Sequence, residues 1–518
     1  MQNNFYDLAN NARRCSVYPR NSIYPSDVTY ITFNELPDKL ILKIFSYLTQ
    51  RDLFKIAVVC RKWYQIAHDS TLWQYLNLRQ DCKGLAINST EVFLDILLPI
   101  TGSTLKYIEM ASDLITIPVL EELANRSPQL KYLILDFSNA MQLHDFNDLT
   151  SFPASLYYLC ICLSDVIFME GLMRKIYQFL SSLEVLHLIG TFEMSSEEEE
   201  EIYEVINISK IKAHTPNLRV INLYGIGFVD DSHVELLANN CIHLETVALN
   251  FCLKVKGSSL RILLERCNKM RSLIMQHCGL QDKYMVAVNW EKAKIEELDI
   301  TSTELSSSCL EDILLRIQNL KYLAVGHCDF FTDKILGRMM ENGNLAQIRA
   351  IDLSYTPSLT ETPVLKFLCH YGPQLTGVML QGKASLAEYF WTNVIHYLKN
   401  IRICVLGAAD GWFYKYNTRV HIDQIVEGFA QHCPFLESLE IQWDPDTIRF
   451  SDKSRKFIDH IRLKCSRLKT YTLSDGKYYE MVKSNFERAD KVRVVRTTTS
   501  YTTSIVTLLR DYRDLMFN

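Results

Sequence analysis

No part of this 518-residue sequence is apolar for long enough to cross a membrane: its longest runs, such as FLDILLPI from Phe93 to Ile100, fall far short of the ~20 residues a spanning helix needs. The opening MQNNFYDLANNARRC lacks the apolar core of a secretory signal, and the closing RDLMFN offers no cysteine for prenylation. A cytoplasmic and/or nuclear protein without a membrane partner is therefore expected. A basic excess is also missing, because the formal net charge is −5 and the pI about 6.3, which argues against nucleic acid as a partner. Metal-ligand spacing is absent too: 15 cysteines include no C-x-x-C, and the one close pair, Cys160 and Cys162, alternates along an expected strand. These are read as reduced thiols, and neither metal nor cofactor is expected. There is no G-x-S-x-G, H-E-x-x-H or P-loop, and GIGFVD from Gly225 lacks the third glycine of a dinucleotide fingerprint. No catalytic residue is assigned, and the chain is not read as an enzyme.

What the sequence does hold is a repeat. An L-x-x-L-x-L signature with conservative exchanges begins at Leu105 (LKYIEM) and returns at 130, 156, 183, 218, 244, 270, 295, 320, 348, 375, 401, 436 and 468, with a degraded copy, VRVVRT, from 492. Most steps are 24 to 28 residues, the spacing of leucine-rich repeats. Between the copies lie stretches with apolar residues every third or fourth position, such as SSLRILLERC (258–267), SSCLEDILLRI (307–317) and SRKFIDHIRLKC (454–465), which read as helices. One strand and one helix per repeat, about 15 times, gives a curved solenoid. Cys241, Cys267, Cys433 and Cys465 stand at helix ends, and Cys252, Cys278 and Cys328 follow strands, which resembles the cysteine-containing subclass of these repeats with small thiols packed at the bends.

Ahead of the repeats, LPDKLILKIFSYLTQRDLFKIAVVCRKWYQIAHDSTLW (36–73) is denser in apolar residues and follows no such period. Pro37 suits the first turn of a helix whose Leu40, Ile41, Ile44, Phe45 and Leu48 share a face; Thr49 and Asp52 form an expected capping box for a second helix through Leu53, Ile56, Ala57 and Cys60; a third carries Trp63. So small a core leaves apolar surface for a partner. The order of LP, IFSYL, DL, VCRKW and LW resembles an F-box, and with the repeats nearly the whole chain is similar to the F-box and leucine-rich-repeat family. The organisation read from this is a polar tail (1–30), the F-box (31–78), a linker or capping segment (79–104), and repeats with a C-terminal cap (105–518).

The resemblance implies a function: in that family the F-box docks on the Skp adaptor, and through it on cullin and RING subunits, while the repeats hold the protein to be ubiquitinated. By resemblance Leu36, Pro37, Leu40, Ile41, Ile44, Phe45, Leu53 and Trp63 are the adaptor-side or F-box-core residues, with contact and core undivided. Alternatives are a non-catalytic repeat scaffold and a small-molecule-gated F-box receptor. For the target, the third, fifth and seventh positions of each strand point to the concave face. Of its seven charges six are acidic, so a basic target protein is expected. Tyr107, Tyr132, Tyr158 and Tyr322 recur at one position, Glu297, Asp299 and Asp352 supply acid, and Trp412 and Phe413 lie in an aromatic insert, ADGWFYKYN.

Overall fold

The computed structural model describes residues 33–79, 84–87, 89–138, 140, 145–163, 170–190, 211, 214–383, 385–408, 419–486 and 493–497. Two compact units divide the chain, Met1–Ser182 and Leu183–Asn518. Each is built from parallel strands alternating with helical segments, and the first opens with the expected helical module.

That module has three helices, α1 (Asp38–Phe45), α2 (Gln50–Ala57) and α3 (Arg61–Ala67). Pro37 sits one place earlier than expected, as the N-cap of α1: its φ of −56° would suit a helix, but ψ is extended at 142°. Thr49 caps α2 by accepting the Asp52 N–H at 3.2 Å, while its own hydroxyl donates to the Asp52 carboxylate at 2.7 Å. The return bond of a full capping box is thereby replaced by a side-chain bond. Cys60 does not continue α2, which stops at Ala57; its sulfur instead caps α3 by accepting the Trp63 N–H at 3.5 Å. Ile41, Phe45, Leu53, Ala57, Ile66, Ala67 and Trp73 form the core.

The strand ladder begins earlier than the leucine pattern. In the first unit β1 (Tyr75–Asn77), β2 (Tyr107–Ala111), β3 (Tyr132–Asp136) and β4 (Tyr158–Cys162) pair in parallel, with Tyr75, Tyr107, Tyr132 and Tyr158 in one register. The first strand was missed because Trp73 takes the place of the first leucine in WQYLNL. Its indole donates to the Ala67 carbonyl at 2.7 Å and meets the Phe54 ring at 4.9 Å, so the end of the helical module is also the start of the repeat core.

In the second unit the strands are β5 (Val185–Ile189), β6 (Val220–Asn222), β7 (Thr246–Ala248), β8 (Ser272–Ile274), β9 (Glu297–Asp299), β10 (Tyr322–Ala324), β11 (Ala350–Asp352), β12 (Gly377–Gln381), β13 (Ile403–Gly407), β15 (Ser438–Ile441), β17 (Thr470–Ser474) and β18 (Arg493–Thr497), in sheet order. A separate parallel pair, β14 (Val420–His421) with β16 (Ile448–Arg449), lies off that sheet. The last copy is offset by one residue from the sequence alignment: Arg493 stands opposite Thr470. Helices Leu260–Arg266, Ser307–Arg316 and Ser454–Lys464 fall where the periodicity places them.

Leucines of the motif, among them Leu244, Leu249, Leu298, Leu320 and Leu375, are fully buried, each worth about 1.5–3 kcal/mol. Two cysteine ladders bind successive coils. After the strands, Cys252, Cys278 and Cys328 donate to the carbonyls of Leu223, Leu249 and Ile300 at 3.0–3.2 Å. At the helix ends Cys267, Cys433 and Cys465 donate to Cys241, Leu398 and Cys433 at 3.4–3.5 Å. The bend between these features is left-handed in seven successive repeats, at Gly225, Phe251, His277, Ser302, His327, Tyr355 and Gly382, with φ between 52° and 71°. Charges at the second motif position add a register device: Arg219 bridges Glu184 and Glu245, both at 2.9 Å, and Glu437 is bridged by Arg402 and Lys469. Exposed pairs of this kind contribute little energy singly, but a slipped coil would break them.

Candidate functional site

Two surfaces carry the candidate residues, and the helical module separates its own set cleanly. Ile41, Phe45 and Leu53 are buried. Trp63 is half-buried and acts inward: its ring meets Phe45 and Phe33 edge-on at 5.6 and 5.1 Å, and its Nε1 donates to Asn34 Oδ1 at 2.7 Å. Lys62 ties the same segment down, donating to the Asn34 and Leu36 carbonyls at 2.8 and 2.9 Å. Leu36 is half-buried there. Pro37, Leu40 and Ile44 face solvent, the latter two at 52% and 42% exposure.

Leu40, Ile44 and Leu48 follow each other at four-residue spacing, so they form one row along α1 and past its end. Tyr47, Val58 and Val59 are further large exposed hydrophobics in the same module. An apolar row left bare on a well-packed core is a candidate interaction surface.

The inner strand positions divide into two settings. In the first unit, Tyr75, Tyr107, Tyr132 and Tyr158 form a ladder of tilted rings with centroids 6.4, 6.2 and 6.0 Å apart. Tyr107 and Tyr132 are half-buried and Tyr158 is buried. Beside them Arg79 joins Glu109 at 3.3 Å and Asp136 at 2.7 Å, and the Tyr107 hydroxyl donates to Glu109. Acid on this wall is therefore largely matched by one guanidinium. Tyr75 was missing from the sequence reading for the same reason as β1.

In the second unit the wall is closed rather than open. Ala248, Ile274, Ala324, Ala350, Met379, Ile403 and Val405, all at inner positions, pack into one buried cluster, with Tyr322 half-buried against it. Glu297, Asp299 and Asp352, expected as an exposed acidic strip, are 5%, 0% and 2% exposed. Strands lie ~4.8 Å apart, so side chains at equal positions of neighbouring repeats screen one another. These acids serve the chain itself: Asp299 accepts the Thr301 N–H and Asp352 the Ser354 N–H, each at 2.9 Å, holding the turn after the strand. Burial pushes the Asp352 carboxyl up to about 6, against the Ser354 hydrogen bonds and with help from the charge of Asp299. Trp412 and Phe413 lie outside the described residues.

No group of three or more His, Cys, Asp and Glu suited to a metal ion occurs among the described residues, and no described helix is long and apolar enough to cross a membrane.

Comparison with known proteins bears on the first surface above all. Residues 33–79 match the F-box-like family, so the helical module is an F-box-like domain. Two relatives, both named F-box/LRR-repeat protein 12, from Bos taurus and Homo sapiens, are 29% identical over 133 residues, 24% of this chain and 38% of theirs. The Mus musculus protein of that name is 43% identical over 47 residues, 9% of this chain and 14% of its own. The chain thus matches well under half the length of these relatives. Among solved structures, a yeast Rad7 and Elc1 complex aligns with 82% of this chain and 96% of its own, at 15% identity and TM-score 0.38. An internalin from Listeria monocytogenes aligns with 74% and 83%, at 12% identity and TM-score 0.27. At these scores neither structure assigns a role.

Proposed function

We propose that this chain, an F-box-like domain followed by leucine-rich repeats, is the substrate-recognition subunit of an SCF-type ubiquitin ligase, itself without catalytic residues. The F-box-like domain docks on a Skp-type adaptor, and through it on cullin and RING subunits; the repeats hold the protein to be ubiquitinated, which then goes to the proteasome.

The observation that carries the reading is the bare row of Leu40, Ile44 and Leu48 on helices whose opposite side is fully packed. Such a row costs solubility unless covered, and the F-box-like match supports a Skp-type adaptor as what covers it. For the target, the tyrosine ladder of the first unit is the favoured contact strip, since Tyr supplies contact area with a polar tip. The buried acids of β9 and β11 are not part of it.

The test is affinity capture with proteasome and neddylation blocked. A chain carrying Leu40→Asp and Ile44→Asp should lose adaptor and cullin while target proteins accumulate on it, and Tyr132→Ala should lose target while keeping the adaptor. Equal recovery of cullin with both chains, or the same proteins captured regardless of Tyr132, would refute the assignment.

A further inference from the structure

The left-handed bends that follow the strands carry side chains where glycine would be easier. Gly225 and Gly382 hold this position at either end of the row, yet Phe251, His277, Ser302, His327 and Tyr355 lie between them at φ of 52–63°. Bulky side chains avoid that region, so the four rings stand there at a cost in backbone energy. They are laid face to face. Phe251 and His277 stack with centroids 4.6 Å and planes 16° apart, and His327 and Tyr355 with 4.4 Å and 14°. Tyr355 in turn covers Gly382, where an added Cβ would meet its ring.

Ser302 breaks the row, and each histidine stacks away from it. The backbone ladder continues through the bends, since the His277 N–H donates to the Thr301 carbonyl at 2.9 Å and the Ser302 N–H to the Gly326 carbonyl at 2.8 Å. At ~4.8 Å per coil, the two imidazoles are therefore roughly 9–10 Å apart. Contacts of ~3.5–4 Å on both faces leave room for one planar group. Ser302 and His277 are half-buried and His327 is exposed, so the slot opens to solvent. Besides the histidines, the only acidic or basic residues in the bends 276–280, 301–305 and 326–330 are Glu304 and Asp329, both exposed. Burial, and after it the charge of His327, holds the His277 imidazole below its ordinary range, which leaves it uncharged at neutral pH.

We infer that the slot over Ser302, between His277 and His327, binds an arginine side chain presented by a partner protein. A guanidinium is flat and cationic, so it can lie against both ring faces, and Glu304 and Asp329 stand two residues on from Ser302 and His327 to meet its charge. A lysine ammonium offers no plane to fill the slot, and a neutral aromatic ring makes no use of the two carboxylates. As the contact of a target this rests on the receptor reading above; the preference for arginine is a property of the chain alone.

The test uses the full-length chain without adaptor or target, its histidines isotope-labelled at the imidazole Cε1 and their ring C–H signals followed by NMR. His277→Gln and His327→Gln identify the two signals. N-acetylarginine amide should move both along one saturation curve, and N-acetyllysine amide and N-acetyltyrosine amide should move them less. Ser302→Tyr puts a ring into the slot, in a backbone conformation that Tyr355 already adopts, and should abolish the response. Glu304→Gln with Asp329→Asn, both at exposed positions, should weaken it severalfold. Two histidine signals that do not move together with the arginine probe, an equal response in either variant, or a lysine or tyrosine probe that binds as well as arginine, overturns the assignment. None of these results depends on whether the chain serves a ligase.

Discussion

Replacing Asp352 by Asn should stabilise the protein, and by an amount that depends on pH. The carboxyl is fully buried on β11, where Oδ1 accepts the Ser354 N–H at 2.9 Å, and its pKa is raised to about 6 from 3.8. The asparagine oxygen keeps that bond and removes the charge. Because the folded state holds the proton between pH 4 and 6 while the unfolded chain has lost it, stability falls as pH rises through that window and stays reduced above it. A shift of roughly two units corresponds to about 3 kcal/mol at pH 7.5, and to about 1.5 kcal/mol at pH 5, where the folded carboxyl is mostly protonated. Urea unfolding of both chains at these two pH values measures the difference directly. Asp352→Asn should gain more at pH 7.5 than at pH 5. A loss of stability at pH 7.5, or a gain independent of pH, would refute the idea that burial has forced an uncompensated carboxylate into this wall.

Other perturbations separate roles that look alike in sequence. Phe45→Ala should cost about 3–5 kcal/mol as a core truncation in the F-box-like domain, whereas Leu40→Ala, at an exposed position, should leave melting nearly unchanged; similar losses in both would erase the distinction between packed and bare faces. Gly382→Ala should destabilise by about 1–3 kcal/mol, since φ is +71° and the added Cβ would run into the Tyr355 ring, and an unaltered melting curve would contradict that packing. Cys328→Ala should lose about 1–2 kcal/mol by removing both a buried thiol and its bond to the Ile300 carbonyl, and no loss would mean that the cysteine ladder does not hold the coils.

How much of this could be read beforehand follows from which physical signals are local. The leucine period specifies strand, bend and helix in every repeat, so the fold class and the helix at Ser307–Arg316 were legible from spacing. Strand β1 was not, because Trp73 fills the leucine position with a different shape, and the last copy slipped by one because VRVV admits two registers. In the F-box-like domain Leu40 and Ile41, then Ile44 and Phe45, are adjacent apolar pairs; sequence cannot tell which of each pair faces inward, and the structure buries Ile41 and Phe45. For the inner wall, alternation separates Asp299 and Asp352 from Leu298 and Ile351, but crowding between strands decides exposure, all four are buried, and no single-strand pattern contains that.

The central claim is that the bare row on α1 is a docking surface, and isothermal titration of the purified chain with a Skp-type adaptor tests it most directly. Two anchor positions at about 2 kcal/mol each correspond to roughly a thousandfold in affinity. The unmutated chain should bind the adaptor one to one, and Leu40→Asp with Ile44→Asp should abolish detectable binding while melting stays within a degree or two. No binding by the unmutated chain, or equal binding by both, would contradict the account.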